Sequence, residues 1–294
     1  MLDLVIVLYN PCWSVVQGNL NRIVDCEFIN KIIYVDNSSE SFSGFIPSDP
    51  KVHYIPLNQN FGIAHAQNVG IKISLISENS CAVVLFDQDS ILDADLLGRL
   101  FGDYIVLHRL VGDRLAAIGP QIIDSFSGKK ELSLGGLFKK KDNNNKQGFM
   151  VKREIIASGK VINKNVVPDI GLMDDSLFID GVDHEWCWRA KSKGYEIYMS
   201  NNVSMVHTVG DARLKFLFIT LRVASPVRMY YQVRNFFILF SRGYVPLYWK
   251  LRNSIGYFIK FIVFGFFTED FQDRRKFMIQ GFRDGLLRRT GKIN

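Results

Sequence analysis

Cysteine is scarce in this 294-residue chain: Cys12, Cys26, Cys81 and Cys187 are its four, and no two form a C-x-x-C pair. That spacing excludes a thiolate zinc site, and a chain of this length needs no disulfide framework to fold. No secretory leader is expected either, because acidic Asp3 precedes an apolar run of only strand length. A reduced, cytoplasmic protein is therefore expected. No apolar stretch reaches the roughly 20 residues that a bilayer-spanning helix needs; the longest, Ile255 to Phe267, is interrupted by Lys260. Low-complexity tracts, internal repeats and nucleic-acid-reading modules are also absent, which sets aside disorder, solenoids and DNA or RNA binding.

The content of 48% hydrophobic and 22% charged residues is that of an ordinary globular chain. The length allows one large domain, or a domain of about 210 residues with an appendage. Charge favours the second arrangement. Lys and Arg against Asp and Glu number 20 against 25 over residues 1–212, a balance of −5, but 16 against 4 over residues 213–294, a balance of +12. Half the aromatic residues, 19 of 38, fall in that last segment. Basic charge mixed with aromatic bulk suits an anionic membrane surface, and an oligomer interface is the competing reading.

Leu2 to Tyr9, Lys31 to Val35, Val52 to Leu57 and Cys81 to Phe86 read as strands, the first a near-continuous apolar run suited to burial on both faces. Helical segments lie between them, notably Ile63 to Ser77 and Asp93 to Leu107. This alternation predicts an α/β fold with a mostly parallel sheet, whose ligand crevice lies beyond the carboxyl ends of the strands. Residues 129–147 read as a mobile polar loop, Asp183 to Lys193 as a helix and Glu196 to Val206 as a strand. After Asp211 basic amphipathic helices follow, broken at Pro226, Pro246 and Gly265. The boundaries then fall at 1–125 for the alternating strands and helices, 126–211 for the loop, helix and strand that follow, and 212–294 for the helical region.

Three strand ends are polar: Asn10, Asp36-Asn37 and Asp87-Gln88-Asp89. The last places two carboxylates at one strand end, a donor set suited to Mg²⁺ or Mn²⁺ sharing its shell with substrate phosphates. Asp36 suits either a nucleotide contact or the capping of its own turn. Small residues in Asn60 to Gly70, with Gly62 at the start, permit close approach of a neighbour or a phosphate. That segment is not a dinucleotide fingerprint, because the G-x-G-x-x-G spacing is absent. Asp180, Asp183 and Glu185 cluster at a helix start, where an ionised carboxylate could take a proton from a hydroxyl. His207, at a strand end, is either structural or a ligand.

Taken together these residues resemble the family-two glycosyltransferases of GT-A fold, and within them the bacterial rhamnosyltransferases that use dTDP-L-rhamnose for O-antigen and related polysaccharides. The likeness runs through Tyr9-Asn10, Val35-Asp36-Asn37, Asn60-Phe61-Gly62, Asn68-Val69-Gly70 and Asp87-Gln88-Asp89. It continues through Phe178-Ile179-Asp180, Asp183, Glu185-Trp186-Cys187, Arg189, His207, Tyr230-Tyr231, Arg234-Asn235 and Asp284-Gly285. It departs from many relatives in placing Val182 before Asp183 where they have Glu.

The resemblance implies that Tyr9, Asn10, Asp36, Asn60, Gly62, Asn68, Asp87 and Gln88 bind the donor nucleotide. It further implies that Asp87, Asp89 and in some relatives His207 hold a divalent metal, Mg²⁺ or Mn²⁺, and that Asp183 is the base of an inverting transfer. Asp180, Glu185, Trp186, Arg189, Tyr231 and Arg234 then orient that base or meet the acceptor. The implied partners are a nucleotide-sugar donor, a polyprenyl-diphosphate-linked glycan acceptor and the inner face of the cytoplasmic membrane. UDP-galactofuranose or a UDP-hexose is the alternative donor. A nucleotidyltransferase is disfavoured because Tyr9-Asn10-Pro11 stands where a Gly-rich phosphate loop would follow the first strand, and a non-catalytic scaffold would have lost Asp89 or Asp183.

Overall fold

The structure, a computed structural model, describes residues 1–40, 49–124, 128, 148–207, 212–216, 219–268 and 270–293. Its centre is the first strand, β1 (Leu2–Leu8), in which all seven residues are buried. Period-two alternation divides that strand between two cores. Leu2, Leu4, Ile6 and Leu8 face a cluster shared with helices α1 (Trp13–Ile23) and α3 (Ala94–Val111). Val5 and Val7 face another, shared with α2 (Ile63–Ile76), the short α4 (Val167–Ile170) and α5 (Val182–Ser192). The result is a sheet between two helical layers.

Around β1 lie β2 (Ile29–Asp36) and β4 (Ala82–Asp87), both parallel to it, with β3 (Val52–Pro56) outside β2. Beyond β4 come β7 (Lys160–Asn163), β5 (Leu115–Asp124), β8 (Glu196–His207) and β6 (Phe149–Lys152), giving the order β3-β2-β1-β4-β7-β5-β8-β6. β7 runs antiparallel to both β4 and β5, so those two strands and β8 end on the same edge of the sheet. Register brings Leu8 opposite Asp36 and Val7 opposite Asp87, so the polar strand ends share one carboxyl edge. At the opposite edge Asp3 is wholly buried, accepting from Ser74 at 2.6 Å and Asn30 at 2.7 Å with Lys164 at 3.7 Å.

The C-terminal region differs from the expectation at its start. Two strands, β9 (Ala212–Phe216) and β10 (Ile219–Val223), pair antiparallel there in place of a helix. Their sequences ARLKF and ITLRV alternate apolar and polar residues with period two, which is a strand pattern. Helices α6 (Pro226–Phe240), α7 (Leu247–Phe266) and α8 (Phe271–Leu286) follow. Pro226 and Pro246 stand at helix starts, where proline's missing N–H is harmless, whereas Gly265 lies inside α7 and does not break it. Ile238 and Leu239 of α6 enter the same cluster as Val5 and Trp186, so the region is joined to the sheet domain through its core. Among the described residues no helix is long and apolar enough to cross a membrane. The expected loop at 129–147 lies outside the described residues.

Candidate active site

Reciprocal amide bonds hold the three strand ends together. The Tyr9 main-chain N–H donates to Gln88 Oε1 at 2.7 Å, and Gln88 Nε2 donates back to the Tyr9 carbonyl at 3.0 Å. Gln88, expected at the nucleotide, thus ties the β1 end to the β4 end. Asn10, at φ 45°, donates its N–H to Ser38 Oγ at 2.7 Å. Asp36 is wholly buried, with one carboxylate oxygen accepting from the Ser38 N–H at 3.0 Å and the other from the Tyr54 hydroxyl at 2.5 Å. Of the two uses the sequence left open for Asp36, the capping of its own turn is the one visible. Tyr9 is exposed, so its ring is available above this edge.

The Asp87-Gln88-Asp89 turn is supported from beneath. Asn19 of α1 donates to the Ser90 carbonyl at 2.8 Å and accepts from the Leu92 N–H at 3.1 Å, while the Ser90 and Ser158 hydroxyls pair at 2.6 Å. Asp87 is half-buried and Asp89 exposed. Among the described residues, no side chain or main-chain group bonds the Asp89 carboxylate, and no three His, Cys, Asp or Glu residues converge as a metal cluster. His207 ends β8 on the same edge, opposite Asp124, and its side chain lies outside the described residues.

Asn60 and Gly62 connect this edge to the loop that leads into α5, the helix carrying Asp183. Asn60 Oδ1 accepts from Asn37 Nδ2 and from the Gly62 N–H, each at 3.0 Å. Gly62 sits at φ 91°, and a Cβ there would lie 2.6 Å from both the ring and the carbonyl of Phe178, so only glycine fits. The Ala64 N–H, at the start of α2, donates to that same Phe178 carbonyl at 3.5 Å. Asn68, also expected at the nucleotide, instead holds Met173: it donates to the Met173 carbonyl at 2.9 Å and accepts from the Met173 N–H at 2.8 Å.

Asp183 lies in the first turn of α5, half-buried, with Oδ1 accepting the His184 N–H at 2.9 Å. Burial acts to raise its carboxyl, but the charges of His184 and Lys160 and the His184 N–H outweigh it and hold the group below the ordinary carboxylate value. It is ionised at neutral pH and able to accept a proton. The residues expected beside it are placed as supports. Glu185 is buried and accepts from Arg189 Nε at 2.9 Å and from the Tyr244 hydroxyl at 2.5 Å, with Arg242 at 3.2 Å. Arg189 also donates to the carbonyls of Ile170 and Leu172, and Trp186 Nε1 donates to that of Gly171 at 2.9 Å. Asp180 pairs with Arg228 at 3.1 Å. Tyr231 and Arg234 are buried beneath the 176–180 loop: the Tyr231 ring stacks on Phe178 at 4.8 Å, and Arg234 donates to the Leu177 carbonyl at 2.9 Å.

This arrangement of sheet, acidic turn and carboxylate has known counterparts. The family model described as glycosyl transferase family 2 matches residues 3–164. The chain belongs to that family. The transferase is 33% identical over 258 residues to the dTDP-rhamnosyl transferase RfbF of Shigella flexneri, covering 85% of this chain and 83% of that protein. It is 23% identical over 222 residues to the low-salt glycan biosynthesis hexosyltransferase Agl10 of Haloferax volcanii, covering 71% and 67% respectively. Among solved structures it superposes on GalNAc-T7 in complex with UDP, GalNAc and Mn²⁺ at TM-score 0.56 and 12% identity, spanning 98% of this chain but only 56% of that one. Residues 1–349 of S. aureus TarS match at TM-score 0.54 and 13% identity, over 97% of this chain and 80% of that one. These neighbours identify the fold as GT-A.

The sequence reading missed one member of the transferase's site. Lys160, the first residue of β7, is wholly buried and pairs across the sheet with Leu85, two residues before Asp87. Its ammonium donates to the Asp183 carbonyl at 3.0 Å and lies 5.7 Å from the Trp186 ring. No carboxylate stands within ion-pair distance of it among the described residues. A buried cation without a counterion is costly, and here it anchors the first turn of α5 while lowering the Asp183 carboxyl. Only topology places Lys160 under that helix, and in sequence it is one more lysine. Lys160→Met removes the charge and keeps the stem, so the acidic limb of the kcat–pH profile should move to higher pH in a variant shown by circular dichroism to be folded. A limb unchanged from wild type would deny Lys160 this role.

Proposed function

We propose that the protein transfers L-rhamnose from dTDP-β-L-rhamnose to a hydroxyl of a lipid-linked glycan in bacterial polysaccharide synthesis, with inversion to an α-L-rhamnoside. Support comes from one coincidence of kinship and geometry: the identity to RfbF extends over most of both chains, and an ionised Asp183 stands on α5, which the Gly62–Phe178 contact joins to the polar strand ends. The nucleoside lies over Tyr9 and Asn10, above the turn that the buried Asp36 caps, with Asp87 beneath the ribose.

Asp183 takes the proton of the acceptor hydroxyl as its oxygen forms the bond to C1 of the sugar, while the bond from C1 to the diphosphate oxygen breaks and both its electrons leave with dTDP. Glu185, Arg189, Arg242 and Tyr244 fix the helix that bears the base. Burial, then Glu185, pushes the Tyr244 hydroxyl up to about 12, so it remains a donor to that carboxylate throughout the working range. Carboxylate oxygens suit a hard cation, and the unbonded Asp89 beside Asp87 fits one whose shell is completed by donor phosphates. Asp87 and Asp89, with His207 as a third ligand, would hold Mg²⁺ or Mn²⁺, which when bound supplies charge neutralisation for the departing diphosphate. An acceptor on polyprenyl diphosphate keeps the protein in the cytoplasm, peripheral to the inner face of the membrane.

Asp183→Asn should bind dTDP as wild type does and lose about a thousandfold or more in kcat; wild-type turnover would remove the base. Asp89→Ala, or exhaustive EDTA treatment, should abolish transfer, and activity surviving both would dismiss the metal. In a donor panel of dTDP-rhamnose, UDP-galactofuranose, UDP-glucose and GDP-mannose, nucleotide release should be fastest with dTDP-rhamnose. Preference for a UDP or GDP sugar would overturn the rhamnose assignment and leave the family intact.

A further inference from the structure

From Ala212 to Thr268 the sequence carries nine Lys and Arg and not one Asp or Glu. Within this stretch α7 has two unlike faces. One is packed: Val263 and Phe264 are buried with Met229, Val233 and Met278, and Phe236 meets Trp249 and Tyr257 at 5.9 and 5.2 Å. The other carries Leu247, Leu251, Ile255, Phe258, Ile262 and Phe266, each between 38% and 68% exposed. These recur at i, i+4, i+8, i+11, i+15 and i+19, which confines them to an arc of about 100° along roughly 29 Å of helix. So long an uncovered apolar stripe marks a binding surface.

Charge decides between its two natural occupants. In a symmetric dimer the same patch meets itself, so two copies of α7, which carries Lys250, Arg252 and Lys260 and no acid, would be brought together. An anionic bilayer offers the opposite sign. Exposed Arg252 borders the stripe, and Arg275 lies over the Phe266 ring at 5.6 Å at its far end. Among the described residues neither has an ion-pair partner. Lys250, Arg252 and Lys260 within α7 preclude crossing, so the helix suits the plane of the interface, where rings and aliphatic chains enter the acyl boundary and guanidinium groups meet phosphate.

We propose that α7 lies in the plane of an anionic membrane, inserting its exposed stripe and placing Arg252 and Arg275 on lipid phosphate. This rests on the reading that the acceptor is lipid-linked. It assigns the contact to one face of one helix. That helix packs on α6, whose Arg234 and Asn235 hold the loop before Asp183, so the acceptor's own surface adjoins the support of the base.

The full-length protein and the double variant Leu251→Glu/Phe258→Glu can be sedimented with vesicles of phosphatidylcholine alone or of phosphatidylcholine with phosphatidylglycerol. Wild type should pellet with the anionic vesicles. The variant should partition about tenfold less or weaker still, while keeping the wild-type thermal shift with dTDP and Mn²⁺ and the wild-type mass in solution. Wild-type partitioning by the variant would overturn the stripe and leave membrane association standing. Wild type remaining in the supernatant with both vesicles would overturn membrane association altogether. Equal pelleting of wild type with neutral vesicles would remove the electrostatic part. A wild-type dimer that the variant converts to monomer would make the stripe an interface between copies.

Discussion

The position of Asp183 depends on a clamp made by two adjacent residues of α6. Asn235 Nδ2 donates to the carbonyls of Leu177, Ile179 and Asp180 at 2.9, 2.7 and 2.9 Å. Phe178 and Asp180 in that loop have φ of 61° and 65°, left-handed values that L-residues avoid unless their surroundings impose them. Gly181, at φ 85°, completes the turn into α5. Without a fixed set of donors such a loop would relax, and the Asp183 carboxylate would lose its direction relative to the Asp87-Gln88-Asp89 turn. Arg234 reinforces the clamp from a wholly buried position, where carbonyls and the Tyr230 and Tyr231 rings, at 5.6 and 4.9 Å, replace water around its charge.

Seen from that clamp, the charge pattern of the site separates into roles. Paired charges do the positioning: Asp180 with Arg228, and Glu185 with Arg189, Arg242 and Tyr244. Asp183 and Asp89, two of the three carboxylates to which chemistry is assigned, are tied only by main-chain N–H in the first case and by no described group in the second. Groups held by several partners resist movement, whereas a proton acceptor or metal ligand must keep oxygen lone pairs open.

Much of this could be read from the sequence because the inner strands are buried on both faces. An unbroken run such as LDLVIVL admits few alternatives, and its polar terminus then falls on the carboxyl edge by topology alone. The paired strands β9 and β10 are less legible, because their mixture of basic and apolar residues resembles the amphipathic helices that follow, although ARLKF alternates with period two. Amide side chains were the least legible. Gln88 and Asn68 stand within motifs that suggest ligand contact, yet each forms a two-way bond with a distant backbone, and nothing in their spacing distinguishes the two uses. Lys160 escaped for the same reason, because burial of its ammonium follows from insertion of β7 between β4 and β5.

The clamp also orders events during synthesis. Residues 1–124 supply strand β1 and the acidic turn, and such a segment can begin to assemble while the rest is still being made. The donors that fix the 176–180 loop lie at residues 234 and 235, and the Gly291 N–H adds a further bond, to the Ser176 carbonyl at 2.9 Å. A nascent chain that has not reached α6 therefore lacks the donors that hold the loop leading into α5, so the Asp183 carboxylate takes its direction only after the C-terminal helices are made.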